Sequence, residues 1–430
     1  MNLVSLIVLF ITIVNAEPRG YILTPRATVF DAVSTRQQTF TSQIAEEHNL
    51  QPLASFGNID SLVDGPSLQL YWSSHENLKK YEHTLNRLFE IEEDVEINLD
   101  PSDYYSQDHH LFDHETKQFV MISDVDVNDN LMEHVFEKSE VPWHLDRITK
   151  RHLPLDYNFP YYQSGMCHRN NNTAIYTYIV DTGIDTSHTQ FEGRAVWGAN
   201  FADSQDTDCN SHGTHVAGLV GSRDYGVCVD ANLVAVKVLD CQGSGSLSGV
   251  IRGIEWAFKQ HQSRSQNDTR QVKGIINMSL GGGYSRAINR AVETCLRNDN
   301  NFYIVVAAGN ENQDACKVSP ASAEGVITVM ASDSSDGRAW FSNWGECGNV
   351  YAPGVDVLST IPDGKTAKYS GTSMASPVMA GVLNHYLDMF PKKNQKGIVK
   401  LINKLATKDT IENNRKATVN QLVYLERSGL

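Results

Sequence analysis

Short β-branched, apolar runs alternate with helix-like runs along the C-terminal two thirds of the chain. The runs at 175–180, 233–238, 274–278, 302–307 and 326–330 are strand-like, whereas 215–221 and 248–258 are helix-like. Strands that alternate with helices in this way are typical of βαβ units, which build a parallel sheet with helices on both faces. The pattern therefore predicts an α/β domain.

A smaller unit with a different pattern precedes this domain. Residues 21–23 and 67–72 read as strands, 74–88 as a helix with Leu78, Leu85 and Leu88 on one face, and 95–99 as a further strand. Residues 31–48 can form another helix, with Asp31 as a possible N-cap. Strand, helix, strand, helix, strand within about 80 residues predicts a small α+β module.

Charge divides the chain at the same place. Residues 17–138 contain 23 acidic and 8 basic side chains (8 − 23 = −15), and residues 139–430 contain 28 of each, so the whole net charge of −15 lies in the N-terminal third. So sharp a break indicates two units with different roles. No basic stripe accompanies aromatic or zinc-finger patterns, which argues against nucleic-acid binding.

The chain begins with an apolar run over residues 3–14, followed by Val14-Asn15-Ala16. The run is too short to span a bilayer, and a small residue at its end is typical of a cleavage site. We therefore predict a signal peptide over 1–16 and a secreted, extracellular protein without stable membrane insertion. An N-terminal membrane anchor is the alternative, which the length disfavours.

Three separated motifs carry residues suited to nucleophilic catalysis. Ser373 lies in Gly371-Thr372-Ser373-Met374-Ala375, at a turn that opens an apolar, helix-like run, while Asp181 ends a β-branched run and His212 begins His212-Gly213-Thr214-His215. A serine hydroxyl is a weak nucleophile and needs a base within hydrogen-bonding reach. The same trio of roles occurs on unrelated folds in different chain orders, and Asp, His, Ser is the order found in subtilisin.

With Ala307-Ala308-Gly309-Asn310 and Ser279-Leu280-Gly281, these motifs resemble the subtilase family of serine endopeptidases, and within it the proteinase K and aqualysin branch. The resemblance runs from about residue 141 to 425. It implies a subtilisin-like catalytic domain over 139–430, an inhibitory prosegment over 17–100 that acts on its own catalytic domain, and an acidic, His-containing linker and processing region over 101–138. Residues 135–138 are similar to those that precede autocleavage in some relatives, which places processing near Lys138.

The resemblance also implies a role for each site residue. Ser373 is the nucleophile, His212 its base, Asp181 the group that orients the imidazole, and Asn310 the oxyanion donor, with the Ser373 N–H as second donor. Read singly, the same residues suit a helix cap, a packed histidine, a strand-end cap and an Asn in a turn. His215 is the competing histidine, but in the family pattern the first histidine of the motif is the base.

Two glycine-containing segments are similar to the strands that flank substrate in the family. Extended substrates pair with such edges through backbone hydrogen bonds. The resemblance assigns this role to Gly243, Ser244 and Gly245 and to Ser279, Leu280 and Gly281, with Ala307, Ala308 and Gly309 as walls of the pocket for the residue before the cut. Taken alone, the glycines also suit bulges or turns. The small side chains predict a broad preference inclined toward apolar residues.

The chain has seven cysteines, and a secreted protein can pair them. Aqualysin-like relatives carry bridges at positions that match Cys209–Cys241 and Cys316–Cys347. An odd number remains, Cys167, Cys228 and Cys295, so at least one is expected to be a buried thiol. Their pairing stays open, because connectivity does not follow from sequence.

No cofactor is expected for catalysis. Proteinase K-like enzymes hold a calcium ion with two backbone carbonyls, which match Glu324 and Val326, and with an Asp carboxylate, which matches Asn349. An amide in place of the carboxylate removes a charge from a hard-cation site, so calcium at this position is doubtful unless the Glu324 side chain compensates. Glycosylation sequons in polar loops occur at Asn171 and Asn267, and a third at Asn277 lies in a predicted buried strand.

Two questions stay open at this point. His109, His110 and His114 of the linker suit metal capture, a pH sensor or a solvated, mobile segment, and seven of the chain's fifteen histidines lie in the acidic region. The favoured function is a secreted, monomeric serine endopeptidase made as an autoprocessed zymogen, with protein substrates and its own prosegment as partners. The alternative is a self-cleaving relative that keeps its prosegment bound and acts as a binding protein.

Overall fold

The computed structural model describes residues 20–25, 44–56, 68–99, 141–159 and 172–426. The predicted signal peptide, the linker over 101–138 with Lys138, and the residues Cys167 and Asn171 lie outside these ranges. Among the described residues, no helix is both long and apolar enough to cross a membrane.

In the part of the chain that the structure describes, the N-terminal module is an antiparallel sheet with the helix over 75–88 and a helical turn at 44–47, which lies within the predicted helix over 31–48. Its elements are β1 (Tyr21–Pro25), β2 (Gln51–Phe56), β3 (Leu68–Ser73), α1 (His75–Leu88) and β4 (Phe89–Glu93), with strand order β2-β3-β1-β4. Helix α1 begins where the Ser74 hydroxyl accepts a hydrogen bond from the Asn77 N–H, and its Leu85 packs into the module's own core. The structure therefore has the small α+β module, but β2 and β4 were absent from the sequence prediction.

The larger domain follows as one alternating series. Its elements are α2 (Trp143–Arg147), β6 (Thr173–Asp181), β7 (Ala195–Asn200), α3 (His212–Gly221), β8 (Asn232–Lys237), β9 (Ser244–Ser246), α4 (Leu247–Asn267), β10 (Gln271–Met278), β11 (Gly282–Gly283), α5 (Arg286–Asn298), β12 (Phe302–Ala307), β13 (Val318–Ser319), β14 (Ile327–Ser332), β15 (Val350–Pro353), β16 (Val357–Ile361), β17 (Lys365–Tyr369), α6 (Thr372–Met389), α7 (Gln395–Leu405), β18 (Thr407–Lys408) and β19 (Gln421–Leu422).

A nine-stranded sheet forms the centre of this domain, in the order β18-β19-β15-β14-β12-β10-β6-β8-β7. Its pairs are parallel except for β18 with β19. Side chains of β10 alternate between the two faces: Ile275 joins the core beside α3 and α6, and Ile276 joins the core beside α4 and α5. The predicted α/β fold with a parallel sheet and helices on both faces is confirmed.

Parallel strands end at a common edge of the sheet, and three of them have predicted site residues at or directly after their last position. Asp181 ends β6, Ser279 follows β10 directly, and Ala307 ends β12. Ligand sites of open α/β sheets form at the carboxyl ends of strands. This edge therefore positions the candidate chemistry.

The module and the larger domain share a continuous apolar contact. Ile22, Leu53 and Leu70 of the module are buried with residues of α4 and α5 in a single core cluster. In addition, β5 (Glu96–Asn98) pairs antiparallel with β9, so that Ile97 lies opposite Gly245. The strand predicted over 95–99 is therefore present over 96–98, and it adds to an edge of the larger domain, not to the module's four-stranded sheet.

Two disulfides join loops at the sheet edge. Cys209 pairs with Cys241 and Cys316 with Cys347, as the family resemblance implied. Each closes a loop of about 30 residues, which the chain-entropy account values at roughly 3 to 4 kcal/mol. Cys295 is the buried free thiol that the odd count required, and Cys228 is disulfide-bonded.

One buried histidine makes the stability of the larger domain depend on pH. His144 of α2 is fully buried, donates from Nε2 to the Tyr225 carbonyl at 3.0 Å, and burial lowers its pKa from 6.5 to about 4. The unfolded chain binds this proton more readily, so the stability is complete above about pH 6.5 and is lost as the pH falls toward 4. We expect a loss of about 2 kcal/mol between pH 7 and pH 5 from this residue alone.

Urea unfolding of the full chain at a series of pH values measures this loss. His144→Gln should make the profile between pH 7 and 5 shallower, whereas His152→Gln, a change at an exposed histidine of the same segment, should leave it unchanged. Equal slopes in both variants would contradict the assignment.

Candidate active site

The ends of β6 and of the loop before α3 meet in a buried hydrogen bond. His212 Nδ1 lies 2.8 Å from Asp181 Oδ1, and neither side chain is exposed to solvent. The Asp181 carboxylate also accepts from the Thr182 N–H at 2.8 Å, which fixes its orientation. Because Nδ1 donates to the carboxylate, Nε2 is the proton-accepting nitrogen of the neutral ring.

The turn that aims His212 is organised by Asp208, a residue that sequence reasoning missed. Its buried carboxylate accepts hydrogen bonds from the backbone of Ser211, from the backbone and hydroxyl of Thr214, and from the hydroxyl of Thr182. Ser211 has φ +91°, a left-handed conformation that needs such support in a residue with a side chain. Asp208 thus connects the start of α3 to the end of β6.

His215 is excluded as the base by its surroundings. It is fully buried, donates from Nε2 to the Ala367 carbonyl at 3.0 Å, and stacks on Tyr369 with ring centroids 4.4 Å apart. Burial lowers its pKa to about 3, so it stays neutral near pH 7. The imidazole therefore anchors α3 to the hairpin β16–β17.

Ser373 lies in the first turn of α6, which packs directly against α3. Its hydroxyl donates to the Ser279 carbonyl at 3.1 Å, while the Ser279 hydroxyl donates to the Ser373 carbonyl at 2.7 Å. Ser279 was predicted as a substrate-contacting residue. The structure shows that its side chain is buried beneath the cleft and holds the serine turn in place.

Asn310 is tied to the same turn through Thr372. Asn310 Oδ1 accepts from the Thr372 N–H and from its hydroxyl, both at 2.8 Å, and the Gly309 N–H donates to that hydroxyl at 3.0 Å. With the amide oxygen used in this way, the donor Nδ2 is directed away from Thr372. An amide donor is thus held beside the serine turn.

A cleft of about 580 Å³ lies over these groups. Of the predicted site residues, its lining includes Ser279, Leu280, Gly281, Ala307, Gly309, Asn310 and Ser373. Ala308 is buried behind the wall, where its N–H donates to the Val329 carbonyl.

The opposite side of this cleft is made by the N-terminal module's last strand. Residues Glu92 to Leu99, apart from Asp94, contribute to the lining, and β5 pairs with Ser244 and Gly245. The Leu99 N–H donates to the Gly243 carbonyl at 2.9 Å. Of the two predicted glycine-containing segments, residues 279–281 line the cleft directly, whereas residues 243–245 lie behind β5, which pairs with them.

The residues at the calcium position do not fit a site of the expected kind. Asn349 Oδ1 accepts a hydrogen bond from the Thr328 N–H at 2.7 Å, so the neutral amide serves as a strand connection between β14 and β15. Among the described residues, one group of three potential metal ligands comes together, Asp203 with Cys209 and Cys241, and those two cysteines form a disulfide.

The sequons differ in accessibility. Asn267 is exposed at the end of α4, whereas Asn277 is fully buried in β10 and donates to the Ser279 hydroxyl. A glycan has room at Asn267 alone of these two positions.

Comparison with known proteins places these features in one family. The profile described as the subtilase family matches residues 173–423. The chain is 50% identical over 253 residues to "Subtilisin-like protease 6" of Trichophyton rubrum, a match that covers 58% of this chain and 60% of that protein. It is 46% identical over 285 residues to "Subtilisin-like serine protease Rho m 2.0101" of Rhodotorula mucilaginosa, covering 65% of this chain and 81% of the other.

A solved structure agrees with the sequence matches. The entire chain of a cold adapted subtilisin-like serine proteinase superposes on 67% of this chain with a TM-score of 0.60 and 38% identity. The present chain spans only about three fifths of the Trichophyton relatives' length, with 60% of those proteins covered.

Removal of the Asp208 carboxylate tests its structural role. Asp208→Ala leaves several buried donors without an acceptor, and we expect a loss of about 3 kcal/mol in the free energy of unfolding. Asp206→Ala, an exposed carboxylate in the same loop, is the matched control and should cost less than about 0.5 kcal/mol. Urea denaturation followed by fluorescence measures both, and similar losses would contradict the role given to Asp208.

Proposed function

The chain belongs to the subtilase family, and from this we propose that it is a secreted serine endopeptidase, made as an autoprocessed zymogen, that cleaves protein substrates through an acyl-enzyme. The observation that carries the proposal is the buried 2.8 Å contact of Asp181 with His212, at the same sheet edge where Asn310 is fixed to the turn bearing Ser373. These are the groups that acyl transfer to a serine requires.

In the proposed reaction, Ser373 Oγ attacks the scissile carbonyl while His212 Nε2 takes its proton. Asp181 keeps the proton of Nδ1 in place and stabilises the imidazolium that forms. His212 then gives the proton to the departing amine, which leaves an acyl-Ser373 ester. A water molecule, deprotonated by the same imidazole, hydrolyses the ester and restores the serine hydroxyl.

Negative charge develops on the carbonyl oxygen during both attacks. Asn310 Nδ2 and the Ser373 N–H are the proposed donors to this oxygen, and one such donor is typically worth about 3 to 4 kcal/mol of the barrier. The bonds from Thr372 to Asn310 Oδ1 support this role, since they hold the amide before substrate arrives. No cofactor takes part in this chemistry.

The N-terminal module is the proposed inhibitor of this site. Its strand β5 forms one wall of the cleft and is added to β9 as an antiparallel strand, which is the way extended peptides bind sheet edges. Ile97 is 5% exposed, and Leu99 packs against Gly243, where an added Cβ would meet the Leu99 side chain at 3.0 Å. The same two places would accept apolar side chains of a substrate.

Carboxylates of the module add a second type of contact. Glu92 accepts from the Ser285 hydroxyl at 2.7 Å and from the Ala287 N–H at 2.8 Å, at the start of α5. Asp94 accepts from the N–H and hydroxyl of Ser248 at the start of α4. Helix N-termini favour negative charge, so these pairs support docking of the module on the two helices.

The remaining elements of the proposal rest on sequence. They are secretion through the signal peptide over 1–16, a prosegment over 17–100, a linker over 101–138 with processing near Lys138, and glycosylation at Asn171 and Asn267. The rival proposal is a self-cleaving binding protein that retains the module. The extent of the module's contact in the structure is compatible with that rival, so activity on other proteins has to be measured directly.

Loss of the nucleophile tests autocatalysis, and a casein digest separates the protease from the binding protein. We expect Ser373→Ala to accumulate as uncut chain, while the processed wild-type protein digests casein; chain length on gels and released peptides measure the two effects. Ser334→Ala changes an exposed serine far from the cleft and should process normally. Normal maturation of purified Ser373→Ala would refute autocatalysis, and processed wild type that spares casein would favour the binding protein.

The docking carboxylates should control how long the inhibited state lasts. Full-length protein carrying Glu92→Gln and Asp94→Asn loses the charge at both helix N-termini, so activity should appear at least several-fold sooner during incubation. Glu96→Gln is the matched control, because it removes an exposed carboxylate two residues from Asp94. An unchanged lag in the double variant would show that these contacts do not hold the module.

A further inference from the structure

The segment that carries Asn310 depends on a buried side chain from a distant loop. We define the oxyanion loop as residues 308–313, which leave the end of β12 and pass over Asn343. Asn343 has no exposure to solvent, and its partners lie 30 to 35 residues earlier in the chain. It does not line the cleft with the groups described above.

Every hydrogen-bonding group of the Asn343 side chain is used on the oxyanion loop. Nδ2 donates to the Ala308 carbonyl at 2.8 Å and to the Glu311 carboxylate at 2.6 Å, and Oδ1 accepts from the Gln313 N–H at 2.8 Å. The partners also fix the orientation of the amide, since a flipped amide would turn its oxygen toward two acceptors.

Backbone contacts reinforce the same connection. The Asn343 N–H donates to the Gly309 carbonyl at 3.0 Å, and the Asn312 N–H donates to the Phe341 carbonyl at 2.7 Å. Gly309 has φ +96°, and a Cβ built on it would lie 2.4 Å from Asn343 Nδ2. The oxyanion loop therefore passes so close to the Asn343 amide that neither the loop backbone nor the amide can shift without moving the other.

Asn310 sits between two separate restraints. Its own oxygen is held by Thr372, whereas the backbone on both sides of it is held by Asn343. Thr372 sets which way the amide faces, but it cannot fix the distance from Nδ2 to a reacting carbonyl if the backbone shifts. Oxyanion donors act only within a few tenths of an ångström of their proper distance.

We propose that Asn343 is a positioning residue for acyl transfer, which sets the place of the Asn310 amide through the oxyanion loop. This inference rests on the proposed function, because it requires Asn310 to stabilise the oxyanion. Among the described residues, the hydrogen bonds of the Asn343 side chain go to the oxyanion loop and not to the strand Ser244–Ser246 or to the nucleophile's turn, so its main effect is expected on the transition state. Loss of its amide should therefore lower kcat more than it changes KM.

A double-mutant cycle between positions 343 and 310 tests the proposal. Processed proteins are counted by active-site titration with a fluorophosphonate, and kcat and KM are measured on an extended peptide anilide. Asn343→Ala should lose about 10-fold in kcat with KM within about 2-fold, and Asn310→Ala about 100- to 1000-fold. In the double variant, kcat should fall within about 2-fold of Asn310→Ala alone, because the amide that Asn343 positions is then missing.

Asn384→Ala is the matched control. Asn384 is an equally buried asparagine whose amide bonds Thr177 and Ala380, away from the oxyanion loop, so its kcat per titrated site should equal that of wild type. Should Asn343→Ala fail to fold, Asn343→Ser replaces it in the cycle.

The outcomes distinguish a failure of the positioning role of Asn343 from a failure of the oxyanion role of Asn310. A kcat of Asn343→Ala equal to that of Asn384→Ala, or a full additional loss in the double variant, would overturn the positioning role and leave the protease proposal intact. Wild-type kcat in Asn310→Ala would instead remove the oxyanion role itself, and the inference with it.

Discussion

The hydrogen bond between Asp181 and His212 joins two side chains that are both shut off from solvent, and the surrounding structure is arranged around that constraint. A buried carboxylate is tolerated only when its hydrogen bonds are satisfied. Here the Thr182 N–H and the imidazole both donate to one carboxylate oxygen, Oδ1, while the neighbouring Asp208 accepts hydrogen bonds from the turn that presents His212. The disulfide Cys209–Cys241 begins one residue after Asp208. His212 is thus held by backbone that is braced both covalently and by hydrogen bonds.

Ser373 and Asn310 are held in place by the order of the strands in the sheet. Strands β10 and β12 are neighbours in the parallel sheet, so the segments that follow them emerge side by side at its carboxyl edge. Ser279 after β10 supports Ser373, and Asn310 after β12 is tied to Thr372. Two neighbouring strands therefore place Asn310 and the Ser279 support of Ser373 side by side.

Local sequence patterns predicted much of the sheet and of the candidate site. β6, β10 and β12 were predicted to within a few residues, and Asp181, His212, Ser373 and Asn310 were named because they recur in compact family motifs. Asp208 and Asn343 were missed, because their meaning lies in partners that the sequence does not place nearby: Asn343 reaches Ala308 across 35 residues. The strand over 96–98 was recognised, but the edge with which it pairs was not, since alternation of side chains specifies a strand and not its neighbour.

Under the proposed function, inhibition and recognition use the same hydrogen bonds. Strand β9 is only three residues long and is paired with β5, so a substrate strand can reach it only after β5 has left. The backbone contacts of β5 are no better than those of any extended peptide. The advantage of the module must then come from what a substrate lacks: the Glu92 and Asp94 contacts at two helix N-termini, and the apolar contact of Ile22, Leu53 and Leu70 with the larger domain. Weakening these distant contacts releases the cleft without altering its chemistry, which allows the timing of activation to vary independently of catalytic power.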